Sequence, residues 1–173
     1  SWNKDFIEKI EIRVWEKLGV EQRGNFYDGL GALRDVGQNH LLQMLALITM
    51  GHPASFSADA IRKRREEILR TLIAPQSEAG ASSSFRAQYE GYREIPGVAK
   101  DSQTETYFKI LAFLSAPQWE GVPMTLESGK RLKEQHKEIS VTFKHPTPCL
   151  CPQGQTHYQN KILIRLEPQE KIT

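Results

Sequence analysis

The strongest constraint on the fold is a series of strand-like segments in the second half of the chain that no long helix separates. Only short turn-rich stretches lie between segments rich in β-branched and aromatic side chains, at residues 85–89, 106–115, 122–126, 139–144 and 161–167. Parallel neighbours need a long crossover, usually a helix. The spacing therefore predicts a mostly antiparallel sheet, and the strict alternation over residues 139–144 predicts that one face of that strand is wet.

The first predicted strand, residues 6–16, alternates with a period of two. Ile10, Ile12 and Val14 share one face, and Glu16 continues that face at the end of the strand. A carboxylate that follows three inward aliphatic residues either emerges at a sheet edge or lines a cleft. Emergence at the edge is the simpler interpretation, and both stay open from the sequence.

Two helices are predicted between the first strand and the later ones. The first covers about residues 32–50 and is stopped by Gly51-His52-Pro53, and Ser57 is a candidate N-cap for a second over residues 58–73. The charged run at residues 62–67 is interpreted as a solvated face with local ion pairs. We expect a single α+β domain over residues 1–173, with two main helices packed on one face of the sheet and a flexible loop near residues 75–84.

His40 is the most unusual residue of the first predicted helix. At about 100° per residue it falls among Leu33, Val36, Met44 and Leu47 on an apolar face. A titratable ring there must find a hydrogen-bond partner or have its charged form disfavoured. Both outcomes suit a general base near neutral pH, although a satisfied core histidine is the simpler alternative.

Composition excludes few classes of protein. The 173 residues are 39% hydrophobic with a formal net charge of +2, which gives no reason to expect a nucleic-acid partner or an anionic membrane surface. The longest apolar run, residues 41–50, is too short to cross a bilayer, and the polar residues 2–5 do not begin a signal peptide. Two cysteines make no disulfide framework, so we expect a cytoplasmic location.

Two further clusters carry potential chemistry. His145, Cys149, Cys151 and His157 lie within thirteen positions, but the tight Cys-X-Cys spacing and the crowding prolines favour a loop without metal, and zinc stays an alternative. Lys130 follows Gly129 just after a predicted strand. It either holds an anionic or hydroxylated ligand or belongs to a surface turn. The chain has neither a G-x-G-x-x-G nor a Walker A pattern.

Several segments, taken in order, resemble the C-terminal domain of glucose-6-phosphate dehydrogenases. They are residues 21–28 (EQRGNFYD), 34–44 (RDVGQNHLLQM), 86–89 (RAQY), 91–98 (GYREIPGV), 101–107 (DSQTETY), 119–123 (WEGVP) and 160–168 (NKILIRLEP). Together they run through almost the whole chain. The resemblance implies oxidation of glucose 6-phosphate to 6-phosphogluconolactone, with NADP as the hydride acceptor.

The resemblance also implies roles for individual residues. The histidine of the "QNH" segment, here His40, is the family's general base, and its sugar-binding carboxylates correspond to Glu16 and Asp35. The lysine of its "GK" pair corresponds to Lys130, and Gln135 takes the place of a second basic residue in many members. In a regular helix Asp35 and His40 point about 140° apart, so we do not expect Asp35 to orient His40. A contact to a substrate hydroxyl, or a position in an irregular first turn, suits Asp35 better.

The family's dinucleotide-binding half has no counterpart in these residues. We therefore expect NADP to be bound mainly outside this chain and the chain alone to be inactive. The sheet carries the family's dimer contact, which implies a homodimer. The alternative is a non-catalytic, self-associating module built on the same sheet.

Overall fold

The computed structural model describes residues 2–73, 84–149, 151 and 159–173. Eight strands form its sheet: β1 Ile7–Trp15, β2 Leu72–Ile73, β3 Ser84–Ala87, β4 Tyr107–Leu114, β5 Met124–Gly129, β6 His136–Phe143, β7 Lys161–Glu167 and β8 Lys171–Ile172. The five later strands and β1 were predicted from the sequence. The short β2 and β8 were not, because two residues carry no periodicity.

The sheet is mixed, in the order β2-β4-β5-β1-β6-β7-β8, with β3 beside β4. Every pairing is antiparallel except that of β1 with β5, so the predicted mostly antiparallel sheet is confirmed. The α-helices and the π-helix follow β1 in the chain and precede all the other strands. β1 lies in the middle of the sheet, between β5 and β6. This position makes the end of β1 an interior point of the sheet rather than an edge.

The helical layer has three α-helices and a π-helix. They are α1 Gly24–Asp28, the π-helix Leu33–Leu41 followed directly by α2 Leu42–Thr49, and α3 Ala58–Leu69. Two main helices are therefore only an approximation, because α1 is a separate short helix. Ser57 caps α3 as predicted, since its hydroxyl accepts the Ala60 N–H at 3.3 Å.

The predicted second helix is too long. Residues 72–73 belong to β2, because the chain leaves the helix at Arg70 and pairs with β4, where the Ser115 N–H donates to the Thr71 carbonyl at 2.8 Å. The charged run on α3 does form local ion pairs, such as Arg64 with Glu67 at 2.9 Å. The predicted loop near residues 75–84 lies outside the described residues up to position 83.

The core fills the space between the helices and one face of the sheet. Ile10 and Ile12 are fully buried, and Met124 beside them on β5 is buried as well. Buried Trp119 fixes the end of α2, because its indole N–H donates to the Thr49 carbonyl at 2.7 Å. None of the described helices has the length and apolar character needed to span a bilayer.

Candidate active site

The parallel pair β1 and β5 brings Glu16 and Lys130 together. Trp15 lies opposite Gly129 in the register, so the next residue of each strand projects at the same end of the sheet. The Glu16 N–H donates to the Gly129 carbonyl at 2.9 Å, which continues the pairing one step further. The Lys130 ammonium donates to the Glu16 carboxylate. Glu16 therefore lines a cleft and does not emerge at a sheet edge.

Lys130 is buried, with 9% of its surface exposed, whereas the Glu16 side chain keeps 38% of its surface exposed. The ammonium also lies 5.6 Å from the centre of the Tyr27 ring, a cation–π contact. The adjoining cleft has a volume of about 270 Å³. Its lining comprises Glu16, Leu18, Gly19, Val20, Glu21, Arg23, Tyr27, Lys130 and Gln135.

Tyr27 connects this ion pair with the start of the π-helix. Burial raises the pKa of its phenol strongly, and the nearby carboxylates of Asp35, Glu105 and Glu16 raise it further. Tyr27 is therefore a neutral hydroxyl surrounded by negative groups. We did not assign it to the site from the sequence, and its place in the EQRGNFYD segment was the only signal.

Glu105 fixes the backbone where the helix begins. Its carboxylate accepts the Leu33 N–H at 2.9 Å, and its carbonyl accepts the Ala32 N–H at 2.9 Å. Gly31 has a φ of +75°, and a Cβ there would lie 2.5 Å from the Glu105 carboxylate oxygen. The side chain of Glu105 thus occupies the space that any larger residue at position 31 would need.

His40 is exposed, which contradicts its predicted place on a core-facing helix surface. Of its four predicted neighbours Val36 and Met44 are buried, but Leu33 and Leu47 are 40% and 52% exposed. The helix is a π-helix here, so a regular spacing of 100° per residue does not apply. Because the ring is accessible to water, burial does not oblige it to have a hydrogen-bond partner in the protein.

The π-helix also changes the relation between Asp35 and His40. Bonds from residue i to i+5 bring residues five apart towards the same side, so the predicted separation of about 140° is wrong. No hydrogen bond joins the two side chains in the part of the chain that the structure describes. The π-helix packs against β1 and β5, the two strands that are followed directly by Glu16 and Lys130.

Gln135 is exposed and lines the same cleft from its rim. Its amide donates to the Glu167 carboxylate at 3.3 Å, and Lys137 donates to that carboxylate at 2.7 Å. The Lys137 hydrogen bond, followed by that from Gln135, lowers the pKa of Glu167. The structure thus groups Glu16, Lys130 and Gln135 around one cleft, whereas His40 does not line it.

A second polar cluster covers the sheet face opposite the helices. The Arg13 guanidinium approaches the carboxylates of Glu11 at 2.8 Å, Glu138 at 3.5 Å and Glu127 at 3.6 Å. Tyr107 donates to Glu127 at 2.8 Å, and burial together with this carboxylate raises the pKa of Tyr107 to about 12. Most of these groups pair with one another, but the buried Arg13 Nε makes no hydrogen bond within the described residues and has only the Glu127 carboxylate nearby, at 3.6 Å.

The residues considered for zinc partly converge. His145, Cys149 and Cys151 have their potential ligand atoms within 4.8 Å of one another, at the far end of the sheet from Lys130. His157 lies outside the described residues. In the part of the chain with described side chains, this is the cluster able to hold a thiophilic metal.

Comparison with known proteins gives one consistent result. The family model "Glucose-6-phosphate dehydrogenase, C-terminal domain" matches residues 1–173. Glucose-6-phosphate 1-dehydrogenase 1 of Mycobacterium tuberculosis is 40% identical over 168 residues, which are 96% of this chain and 35% of that protein. The Chlamydia pneumoniae glucose-6-phosphate 1-dehydrogenase is 39% identical over 190 residues, covering 99% of this chain and 36% of that protein.

Solved structures agree with these relatives. A crystal structure of glucose-6-phosphate 1-dehydrogenase from Mycobacterium avium superposes with a TM-score of 0.90 at 38% identity, covering 99% of this chain and 38% of that one. A glucose-6-phosphate dehydrogenase in complex with its substrate glucose 6-phosphate gives a TM-score of 0.85 at 31% identity, covering 99% and 36%. The chain thus spans about a third of the length of its curated relatives.

Proposed function

The chain belongs to the glucose-6-phosphate dehydrogenase family as its C-terminal domain, and we propose that it supplies the sugar site and the proton acceptor of such an enzyme. The substrate is glucose 6-phosphate and the product is 6-phosphogluconolactone. The observation that carries this proposal is the buried Lys130 paired with Glu16 beside a cleft of about 270 Å³. The relative whose structure contains glucose 6-phosphate shares this fold at 31% identity.

The Glu16 and Lys130 pair suits a polyhydroxylated ligand. The ammonium offers three donors and the carboxylate offers acceptors on both oxygens, so each group has capacity left after they bind one another. Burial of Lys130 beside Tyr27 strengthens its hydrogen bonds to sugar hydroxyls because water competes less there. Asp35 and Gln135 are proposed as further contacts of the sugar, from the helix side and the rim of the cleft.

His40 is proposed as the proton acceptor. The C1 hydroxyl loses its proton to a ring nitrogen of His40, and the C1 hydrogen leaves with two electrons as hydride, so that C1 becomes the lactone carbonyl. An imidazole suits this step because its ordinary pKa lies near neutrality. The exposure of His40 leaves the ring open to a substrate and to a covering domain.

NADP is the proposed hydride acceptor of the whole enzyme, but the residues of this chain do not fit a site for it. The sequence has no glycine-rich dinucleotide fingerprint. The cleft of about 270 Å³ is also small for a dinucleotide. We therefore derive only the proton transfer and the sugar contacts from these residues.

The replacement His40→Asn in the native protein that contains these residues tests the proposal. We expect kcat to fall by roughly 10²–10⁴-fold, with a smaller change in KM, because the proton acceptor acts in the transition state. His52→Asn is the matched control, since His52 is also exposed and lies on the loop after α2. The rate of NADPH formation is measured at saturating glucose 6-phosphate.

Turnover of His40→Asn close to that of His52→Asn would exclude His40 as the base. The purified 173-residue chain should form no NADPH, since it lacks a dinucleotide site. NADPH formation by that chain would contradict this part of the proposal.

We also propose a homodimer that forms through the sheet, and a cytoplasmic location. On the face opposite the helices Phe85 is 59% exposed beside the ring of Tyr107, which offers an apolar contact next to the polar cluster. Sedimentation velocity should give a dimer, and Phe85→Asp should shift it towards monomer. A monomer at all concentrations would contradict the dimer.

A non-catalytic, self-associating module is the second candidate, supported by the exposed Phe85 on the sheet face opposite the helices. The length of the native protein separates the two. A dinucleotide-binding half joined to these residues favours the enzyme, and its absence from the native protein favours the module.

A further inference from the structure

The loop that leaves β6 gathers three metal-ligating side chains at the end of the sheet remote from Lys130. The Lys144 N–H donates to the Phe6 carbonyl at 2.7 Å, and the Phe143 N–H donates to the Asn160 carbonyl at 2.9 Å. These bonds extend the sheet to the residue before His145. The imidazole therefore follows directly on a fixed backbone, and the cysteines come from the loop beyond it.

The ligand atoms have the spacing of a tetrahedral zinc site. The His145 Nε2 lies 3.2 Å from the Cys151 Sγ and 3.7 Å from the Cys149 Sγ. Zn–N bonds of about 2.0 Å and Zn–S bonds of about 2.3 Å place neighbouring ligands of a tetrahedron roughly 3.5–3.8 Å apart. Both nitrogen-to-sulfur separations lie within about 0.3 Å of the value expected for such a pair, and the two sulfurs lie within 4.8 Å of each other.

The second ring nitrogen and the backbone complete the arrangement. His145 Nδ1 lies 3.0 Å from the Pro146 carbonyl, the partner that fixes a ligating imidazole with its Nε2 lone pair towards the metal. The Cys151 N–H donates to the Cys149 Sγ at 3.4 Å, which holds the two cysteines close together. Both are outer contacts of the kind that orient the ligands of a metal.

We propose that His145, Cys149 and Cys151 supply three ligands to one Zn²⁺ ion. Two thiolates and an imidazole select a thiophilic metal over Mg²⁺ or Ca²⁺, which prefer oxygen ligands. Cys149 is exposed and the other two residues are half-buried, so the ion has access. The site rests on this loop alone and does not depend on the proposed function of the sugar cleft.

Titration of the reduced, metal-free protein with Co²⁺ tests the site directly. We expect one Co²⁺ per chain with an intense near-ultraviolet thiolate-to-cobalt charge-transfer band, and loss of that band when one equivalent of Zn²⁺ is added. Cys151→Ser should weaken Zn²⁺ binding at least tenfold and remove about half of the charge-transfer intensity. The matched control is His52→Asn, an exposed histidine outside the loop, which should bind as the unaltered protein does.

His145→Asn provides the second variant, and circular dichroism confirms that each variant is folded. Loss of the visible cobalt bands typical of a tetrahedral site on His145→Asn supports the assignment of the imidazole. Absence of a charge-transfer band, or Zn²⁺ affinity unchanged by Cys151→Ser in the folded protein, would overturn the proposal. Co²⁺ bound without thiolate absorption would overturn it equally.

Discussion

The two ends of the sheet gather chemical groups in different ways. At one end Glu16 and Lys130 come from neighbouring strands whose hydrogen-bonded register fixes where each side chain begins. At the other end His145, Cys149 and Cys151 come from a single stretch of seven residues. The eight residue steps of β1 alone separate the ends by roughly 25 Å.

This difference has an energetic meaning. The register of a central strand is held by bonds along its whole length, so the end with Glu16 and Lys130, the proposed sugar end, is positioned before any ligand binds. A short loop has few such bonds, so binding of an ion contributes directly to its order. We therefore expect changes at the sugar end to alter catalysis and changes at the loop end to alter metal binding.

Apart from His40→Asn, the largest effect should come from Lys130→Met. Lys130 is buried, and removing its ammonium takes a charged hydrogen-bond donor from the proposed sugar contact and leaves Glu16 without this partner. Such a loss costs about 2–5 kcal/mol, so kcat/KM for glucose 6-phosphate should fall by about 30-fold or more. Steady-state kinetics on the native enzyme measure it. Lys109→Met, on an exposed lysine of β4, is the control. Cys149→Ser should leave kcat/KM unchanged. A similar fall of kcat/KM in that variant would show that the two ends of the sheet depend on one another.

The same contrast explains what the sequence predicted. Alternation in β1 predicted the inward aliphatic residues and left Glu16 as a cleft candidate, because a period of two follows from strand geometry itself. Lys130 was a candidate ligand-binding residue because it follows a predicted strand, but its pairing with Glu16 was not predicted, since the two are distant in sequence and meet through register.

Two features of the structure could not be predicted from the spacing of hydrophobic residues. The extra residue per turn in the π-helix leaves no mark on composition, so His40 was placed on the wrong face. The convergence of the thiols and the imidazole depends on how the chain turns after Lys144, which spacing alone does not specify. An apolar helix face also does not show whether it packs against this sheet, because Leu47 lies on the predicted apolar face and is nevertheless exposed.

Gly31→Ala tests how much the contact between Gly31 and Glu105 contributes to stability at the start of the π-helix. Gly121 is the matched control, because it has a φ of +77° with no atom within 4 Å of the point where a Cβ would lie, whereas a Cβ at Gly31 would meet Glu105 at 2.5 Å. Gly121→Ala should cost about 1 kcal/mol from backbone strain alone. Gly31→Ala should cost about 2–3 kcal/mol, since Glu105 must also release the Leu33 N–H. Urea unfolding measures both, and equal losses would exclude the carboxylate contact.

Asp28→Asn should produce the next largest change in stability. The carboxylate accepts hydrogen bonds from the Tyr92 hydroxyl at 2.8 Å, the Ala99 N–H at 3.1 Å and the Ser102 hydroxyl. The amide NH₂ of an asparagine side chain would face these donors with donors of its own, so at least one hydrogen bond would be lost. We expect the free energy of unfolding at pH 7 to fall by about 2 kcal/mol. Asp59→Asn on the exposed face of α3 is the control and should change little.

The contribution of Asp28 should depend on pH with a definite sign. Burial raises its pKa, but the hydrogen bonds from Ser102, Ala99 and Tyr92 outweigh burial and lower the pKa below its ordinary value of 3.8. The stabilisation is therefore present above that value and is lost as the pH falls through the lower folded pKa. The difference between the unaltered protein and Asp28→Asn should shrink in acid, and a difference that grew in acid would contradict this assignment.

Gln135→Ala should have the smallest effect and the most local one. Its amide is neutral, exposed and already bonded to Glu167, which Lys137 holds independently at 2.7 Å. A single neutral hydrogen bond to the sugar contributes about 0.5–1.5 kcal/mol, so KM for glucose 6-phosphate should rise about threefold with kcat unchanged. Gln118→Ala, on an exposed loop residue, is the control. An unchanged KM would show that Gln135 does not contact the sugar. The proposed site would then consist of groups held by the strands and the helix, in contrast to the loop that carries His145, Cys149 and Cys151.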